Sequence, residues 1–340
     1  MCNEEILRIV AKTFQEQSRP LNSGLIAPKQ TPVIDQSTKQ VLVATDAIDG
    51  FRSFEFDNYK ILKSIYPDHE DIASMILTSY ALVPNLHNRD MGVCDGALCV
   101  TDLDGLDFSL IKLESTYNYL FDLTKKTNIQ ILNKDSIDLT SKVLNELKDT
   151  LSENVFSPVS KIDRDMLLEH KDAIIKHMES DPLNIKIEGK SLFHPEKSFK
   201  SLLKKLKTKL ETKTVPELLL EGLKTRIDVT LYALEETKTY LEANPQSNQK
   251  TLILKFFQAI KNKRLAYSTK QHNIPAKTRK KLQARYTAAL NENPILPFDS
   301  TVSGELDAFV NRADPFYALH TAIRFIGSSL HLKSSENSEL

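Results

Sequence analysis

The sequence predicts an α+β fold, with a small N-terminal sheet and helices followed by a mostly helical C-terminal region. Short β-rich runs bounded by turn-forming residues occur only within the first 132 residues. From Asp138 onward, apolar residues recur at the three- and four-residue spacing of amphipathic helices. We therefore expect an acidic α+β domain over residues 1–185, a basic helical domain over 186–332 and a disordered serine-rich tail over 333–340.

The N-terminal elements are predicted from capping residues and apolar spacing. Residues 3–17 are predicted to form a helix, because Asn3 is a good capping residue and two glutamates follow it at the positive end of the helix dipole. Two short strands are predicted over 33–35 and 40–45. A largely apolar helix over 68–83 should end at the proline that follows it.

A β-hairpin is predicted around an Asp-Gly pair. The β-rich runs 97–101 and 108–111 flank Asp104 and Gly105. Asp-Gly strongly favours a two-residue type I′ turn, because both turn positions need positive φ. A further strand is predicted over residues 128–132.

From Asp138 onward the chain is predicted to be mostly helical. Asp314 and Pro315 are a capping residue and a first-turn proline, which together predict the start of the last helix. The predicted helices cover residues 160–180, 199–210, 215–241, 251–265, 275–290 and 315–330.

Composition excludes several classes of function. The chain has nine glycines in 340 residues and lacks the glycine-rich motifs of Rossmann enzymes, P-loop NTPases and α/β-hydrolases. Three cysteines are too few for a disulfide framework and fit a reducing compartment. Cys94 and Cys99 have no matching second pair with which to complete a zinc site. No apolar run of about 18 residues and no signal peptide is present. We expect a cytoplasmic protein with no cofactor, no metal and no membrane span.

The net charge of zero conceals two oppositely charged parts. Residues 186–285 contain 23 lysine and arginine residues against nine aspartate and glutamate residues, whereas the rest of the chain contains 22 against 36. Between Glu242 and Glu292 there are eleven basic residues and no acidic residue. A solvated helix normally mixes both signs, because opposite charges one turn apart stabilise it. This acid-free window is therefore predicted to bind anionic groups, either on another molecule or elsewhere in this chain.

Nucleic acid is the predicted partner of the basic region. In the helix predicted over 275–290, Lys277, Lys281 and Arg285 are spaced four residues apart and form one stripe, which suits a row of phosphates. Nearby aromatic residues offer surfaces on which bases stack, although Phe256 and Phe257 fit a core better. The predicted nucleic-acid-binding residues are Lys255, Lys261, Lys263, Arg264, Lys277, Lys280, Lys281 and Arg285.

Two other partners fit the same charge pattern. The acidic half of the chain, or an acidic surface of another protein, would also neutralise the charge of the basic region. An anionic membrane surface is a third possibility.

A metal-dependent nuclease is a further alternative. Asp102 and Asp107 would pair across the predicted hairpin, where two carboxylates repel unless they are solvated or share a cation such as Mg²⁺. Lys112 and Glu114 share a face of the following strand. These two pairs lie on opposite faces, and the Lys-x-Glu order reverses the usual nuclease pattern. The sequence therefore favours a solvated hairpin and a protein without enzymatic activity.

Two resemblances add to these expectations. Residues 95–100 (DGALCV) followed by residues 106–114 (LDFSLIKLE) resemble a segment of the bacterial 37-kDa nucleoid-associated proteins, in which a strand after a glycine leads into a second strand ending in a Lys-Leu pair. That resemblance implies a DNA-associated protein of the nucleoid without enzymatic activity. The composition, which is rich in lysine and leucine and lacks tryptophan, is similar to that of effector proteins that intracellular bacteria inject into host cells.

Together these features predict sequence-nonspecific binding of nucleic acid, DNA in preference to RNA, by the basic helical region. The first alternative is a protein-binding subunit or injected effector whose basic face meets an acidic partner. The second is a metal-dependent nuclease that uses Asp102, Asp107, Lys112 and Glu114.

Overall fold

Helices dominate the described part of the computed structural model, as predicted for the C-terminal region. The model describes residues 25–26, 30–34, 41–45, 47–53, 69–82, 91–94, 97–100, 129–180, 186–187, 190–191 and 209–271, with isolated positions at 6–13, 120–125, 276–288 and 316–326. The helices in this part are α1 His69–Leu82, α2 Lys134–Thr150, α3 Arg164–Glu169, α4 Lys171–Ser180, α5 Val215–Ala243 and α6 Gln249–Gln271, with a 3₁₀ helix at Glu153–Val159.

The strands in the described part are short and pair locally. They are β1 Leu25–Ile26, β2 Gln30–Ile34, β3 Val41–Thr45, β4 Arg52–Ser53, β5 Met91–Cys94, β6 Ala97–Val100, β7 Lys186–Ile187 and β8 Lys190–Ser191. Four of them are ordered β1-β6-β5-β4, whereas β2 pairs with β3 and β7 with β8. Because each strand has only two to five residues, helices supply most of the described core. The α+β class stays a prediction.

The hairpin of the sheet differs from the predicted one. Strand β6 pairs antiparallel with β5, and Cys94 faces Ala97 across a connection of two residues. On its other edge, β6 pairs in parallel with β1, with Leu98 facing Leu25. Both edges of β6 are therefore occupied at Leu98 and Cys99, so these two residues do not pair with residues 108–111 as predicted. The Asp104-Gly105 turn itself lies outside the described residues.

Several other local predictions are corrected by the structure. Residues 129–133 are irregular rather than a strand, because they lead directly into the cap of α2. The single helix predicted over 160–180 is divided into α3 and α4, and His170 ends the first of them. Strands β7 and β8 form a small hairpin at the start of the region that was predicted to be helical.

Helix α2 begins at a capping box and packs on α1. The side chain of Asn133 accepts a hydrogen bond from the Ser136 amide at 2.8 Å, and the Ser136 hydroxyl accepts one from the Asn133 amide at 3.1 Å. Between the two helices, the buried Thr140 hydroxyl lies 3.0 Å from the Ser74 hydroxyl. Small polar side chains at this contact let the helices approach closely while their hydroxyls remain hydrogen-bonded.

Helices α5 and α6 form a long antiparallel hairpin. Helix α5 begins at a second capping box, in which Thr214 and Glu217 exchange hydrogen bonds, and Pro216 lies in the first turn, where its missing N–H costs no helical bond. Five residues, 244–248, connect the helices, and Asn248 caps α6 by accepting a hydrogen bond from the Thr251 amide at 2.9 Å. A short connection of this kind returns the chain along the same helix.

The hydrophobic core is continuous across the predicted domain boundary near residue 185. Helix α5 contacts α1, α2 and the 3₁₀ helix, all of which precede that boundary. One cluster of buried residues includes Ile6, Leu144, Leu223 and Ile326. Burying each such side chain stabilises the fold by about 1.5–3 kcal/mol, so the two halves stabilise each other. The predicted domain limits stay a prediction, and the predicted tail lies outside the described residues.

Candidate nucleic-acid interface

The predicted binding residues fall into two structurally different groups. Lys255, Lys261, Lys263 and Arg264 lie on α6, which packs against α5. Lys277, Lys280 and Lys281 lie beyond α6 at helical positions. Arg285 lies outside the described residues. The two groups have different exposures, and exposure decides which cations a phosphate can reach.

Two of the α6 cations that are predicted to contact nucleic acid are buried. Lys261 and Arg264 each have 1% of their surface exposed, and Arg226 of α5 is fully buried as well. A phosphate group cannot contact a cation that the fold encloses without displacing the surrounding side chains. The charge of the window carries no information about the direction in which each side chain points.

The other two α6 cations lie over tyrosine rings of α5. The Lys255 ammonium is 5.0 Å from the centre of the Tyr240 ring, and the Lys263 ammonium is 4.4 Å from the centre of the Tyr232 ring. Cation–π contacts at this distance contribute about 0.5–1 kcal/mol near the surface. Burial and the neighbouring Glu236 carboxylate raise the pKa of Tyr232. All four lysine and tyrosine side chains are half-buried and take part in the packing of the hairpin.

Carboxylates of this chain neutralise further parts of the basic region. The Lys238 ammonium donates to Asp138 at 2.6 Å, and so joins the basic region to the acidic half. Within the basic region, Glu221 accepts hydrogen bonds from Lys209 and from Lys213. Burial alone would raise the pKa of Glu221, but the two ammonium groups outweigh it and hold the pKa below the ordinary value. The alternative of internal neutralisation therefore applies to these cations.

The lysines beyond α6 lie on an exposed helical face. The described helical residues there are Ala276, Lys277, Lys280, Lys281, Ala284 and Ala288, and all six are exposed. At about 100° per residue, these positions fall within an arc of roughly 140°. We call this surface the lysine–alanine face. It contains three of the eight predicted cations, and the sequence around it has no acidic residue from 243 to 291.

The two phenylalanines of α6 are buried. Phe256 and Phe257 each have 5% of their surface exposed and pack edge-to-face, with ring centres 5.3 Å apart. Tyr267 is half-buried against the same core, and Tyr286 lies outside the described residues. The described aromatic side chains of α6 therefore serve the core of the protein.

No family model, curated protein or solved structure matches this chain. The resemblance to the 37-kDa nucleoid-associated proteins and the compositional similarity to injected effectors stay predictions.

The predicted nuclease residues are not placed by the structure. Asp102, Asp107, Lys112 and Glu114 all lie outside the described residues. Within the described residues, no three histidine, cysteine, aspartate or glutamate side chains are grouped closely enough to hold a metal ion. None of the helices described is both long and apolar enough to cross a bilayer.

Sequence reasoning missed one contact that positions the α5–α6 hairpin. The side-chain amide of Gln249 donates to the Leu132 carbonyl at 2.9 Å, and its oxygen accepts from the Leu132 amide at 2.9 Å. This pair of bonds joins the start of α6 to the segment before α2, across 117 residues of sequence. A glutamine at a helix start has no special sequence signal, so only the structure identifies this role.

Proposed function

We propose that this protein binds nucleic acid, DNA in preference to RNA, without sequence specificity through the lysine–alanine face. The observation that carries the proposal is the exposure of Lys277, Lys280 and Lys281 on one helical face within an acid-free stretch. Phosphate contacts of this kind position a protein on nucleic acid but do not read its bases.

The charge pattern itself favours an external anion. Lys277 and Lys281 are four residues apart, and like charges at this spacing destabilise a helix by a few tenths of a kcal/mol. No carboxylate is available at the neighbouring positions to relieve this repulsion. Bound phosphates would relieve it, and the release of condensed counterions from the nucleic acid would drive association.

The proposed interface is narrower than the eight residues predicted from sequence. The ammonium groups of Lys255 and Lys263 make cation–π contacts with tyrosine rings. Lys261 and Arg264 are buried. The interface therefore consists of Lys277, Lys280 and Lys281, with Arg285 as its continuation in the sequence.

The proposal includes a division of the chain into two units. The N-terminal unit is α+β, and its small sheet consists of β1, β4, β5 and β6. The C-terminal unit is helical and carries the interface. The protein would act in the cytoplasm, in association with the nucleoid, and without enzymatic activity.

The proposal is tested by charge reversal on two matched surfaces. The triple variant Lys277→Glu, Lys280→Glu and Lys281→Glu should lose binding to a labelled mixed-sequence DNA duplex in fluorescence anisotropy. The control variant Lys125→Glu, Lys161→Glu and Lys176→Glu reverses three exposed lysines in other segments and has the same net charge. It should lose much less affinity, because those lysines lie outside the face.

Equal loss in both triple variants would mean that net charge alone governs binding, and the assignment to this face would fail. If the wild-type protein binds no duplex more tightly than about 100 μM at low salt, the nucleic-acid function itself fails. The protein-partner alternative then takes its place. Cleavage of DNA or RNA with Mg²⁺ that is abolished by Asp107→Asn would instead establish the nuclease alternative.

A further inference from the structure

The described aromatic side chains of α5 and α6 are buried or half-buried. Phe256 and Phe257 are enclosed in the core, and the rings of Tyr232 and Tyr240 are covered by Lys263 and Lys255. Proteins that bind single strands without sequence preference depend on exposed aromatic platforms, each worth about 1–3 kcal/mol per base. None of the described residues of the lysine–alanine face is aromatic, and the described rings of α5 and α6 pack against the core.

The described residues of the lysine–alanine face suit contact with a phosphate backbone. Three of its six described residues are alanines, at positions 276, 284 and 288, so the helix can approach a flat or convex surface closely. Lys277 and Lys281 are separated by about 6 Å along the helix axis. Their long side chains can follow neighbouring phosphates while the alanines lie against the backbone of the nucleic acid.

We infer that the preferred ligand is double-stranded rather than single-stranded nucleic acid. This inference rests on the proposed function. A duplex presents its phosphates at a higher density than a single strand and keeps its bases stacked internally, so it needs no aromatic platform from the protein. The lysine–alanine face supplies the charge and close approach that a duplex requires, and it lacks the described stacking surfaces that a single strand requires.

The first experiment compares a labelled duplex of about two helical turns with its isolated strand, using the full-length protein at about 50 and 200 mM salt. We expect the duplex to bind about tenfold more tightly or better, since one missing stacking contact corresponds to roughly that factor. A smaller preference, or tighter binding of the single strand, would overturn the inference and leave the proposed function intact. Absence of binding to both would remove the proposed function and the inference together.

A second experiment places a ring on the face itself. Ala284→Trp adds a bulky side chain that prevents close approach to a duplex but provides a platform for bases. It should weaken duplex binding by about tenfold while single-strand binding is unchanged or stronger. Ala173→Trp, at an exposed position of α4, is the matched control and should change neither. Weaker binding of both ligands to Ala284→Trp would contradict the inference.

A third variant tests the aromatic residue closest to the stripe in sequence. Tyr286→Ala should leave the duplex preference unchanged. If it lowers single-strand affinity by about tenfold, then Tyr286 acts as a stacking platform. That result would overturn the inference.

Discussion

The Asp138 carboxylate lies 2.6 Å from the Lys238 ammonium and joins α2 to α5. A reciprocal pair joins the same helices further along, where the Lys148 ammonium lies 2.5 Å from the Asp228 carboxylate. On both helices the aspartate precedes the lysine by ten positions. Two such pairs are compatible only with antiparallel helices in one register. They connect the acidic half of the chain to its basic half at defined positions.

The Asp138–Lys238 pair should behave as a reversible charge contact. Asp138→Lys and Lys238→Asp should each lower the thermal midpoint, because each places like charges opposite one another, and the double variant should restore it. The hydrogen bond that the Lys238 ammonium donates to Asp138 raises the pKa of Lys238. A raised folded pKa means that the contribution is complete below the ordinary lysine pKa and is lost as pH rises through the folded value. Melting curves at neutral and strongly alkaline pH measure this loss of stability.

Recovery in the double variant should be largest at low salt, since salt screens exposed pairs. If the double variant is no more stable than the single variants, the pair does not contribute to the packing of α2 on α5.

The Gln249 side chain should be important for stability although it is not part of the hydrophobic core. Gln249→Ala removes two hydrogen bonds and leaves the amide and carbonyl of Leu132 without that partner. The free energy of unfolding should fall by about 1–3 kcal/mol, the usual cost of unsatisfied buried polar groups. Chemical denaturation measures the change.

Gln246→Ala, at an exposed position in the α5–α6 connection, is the matched control and should have a much smaller effect. Equal effects of the two substitutions would mean that the contact with Leu132 contributes nothing measurable.

Lys261 should have no direct role in nucleic-acid binding. Lys261→Met removes a buried cation with little change in volume, and we expect duplex affinity to change by less than about twofold, with an unchanged salt slope. Lys280→Met removes an exposed cation of the lysine–alanine face and should lower the slope by about 1. Anisotropy titrations over a range of salt measure both. A loss of slope in Lys261→Met would contradict the structural distinction between the two lysines.

The Glu221 carboxylate should support stability above acidic pH. Its pKa is held below the ordinary value of 4.5 by Lys209 and Lys213, despite partial burial that acts in the opposite direction. A lowered folded pKa means that the contribution is present above pH 4.5 and is lost as pH falls through the folded value. Glu221→Gln should therefore cost about 1 kcal/mol or less at neutral pH, because the pair is partly solvated.

In acid the difference between wild type and Glu221→Gln should disappear. Denaturation at neutral pH and well below pH 4.5 measures this. Glu169→Gln, on the exposed side of α3, controls for the loss of one surface carboxylate. A pH-independent difference would show that the role of Glu221 is not electrostatic.

The helices were predicted from local signals that do not depend on the rest of the fold. The predicted ranges 68–83 and 215–241 agree closely with α1 His69–Leu82 and α5 Val215–Ala243. Capping residues and apolar spacing act within a few residues of each other, so they can be read from the chain directly. The parallel pairing of β6 with β1 could not be predicted in this way, because β1 lies more than 70 residues earlier in the chain.

The amino-acid sequence by itself determined where α1 and α5 begin and which stretch of the chain carries cations without anions. Only the tertiary structure decided which of those cations meet solvent. Lys261 and Lys280 belong to the same basic window, yet one is enclosed and the other is exposed. The difference arises because α6 is packed against α5 and the shared core, and the rotation of a helix against its neighbours is set by contacts between residues far apart in sequence.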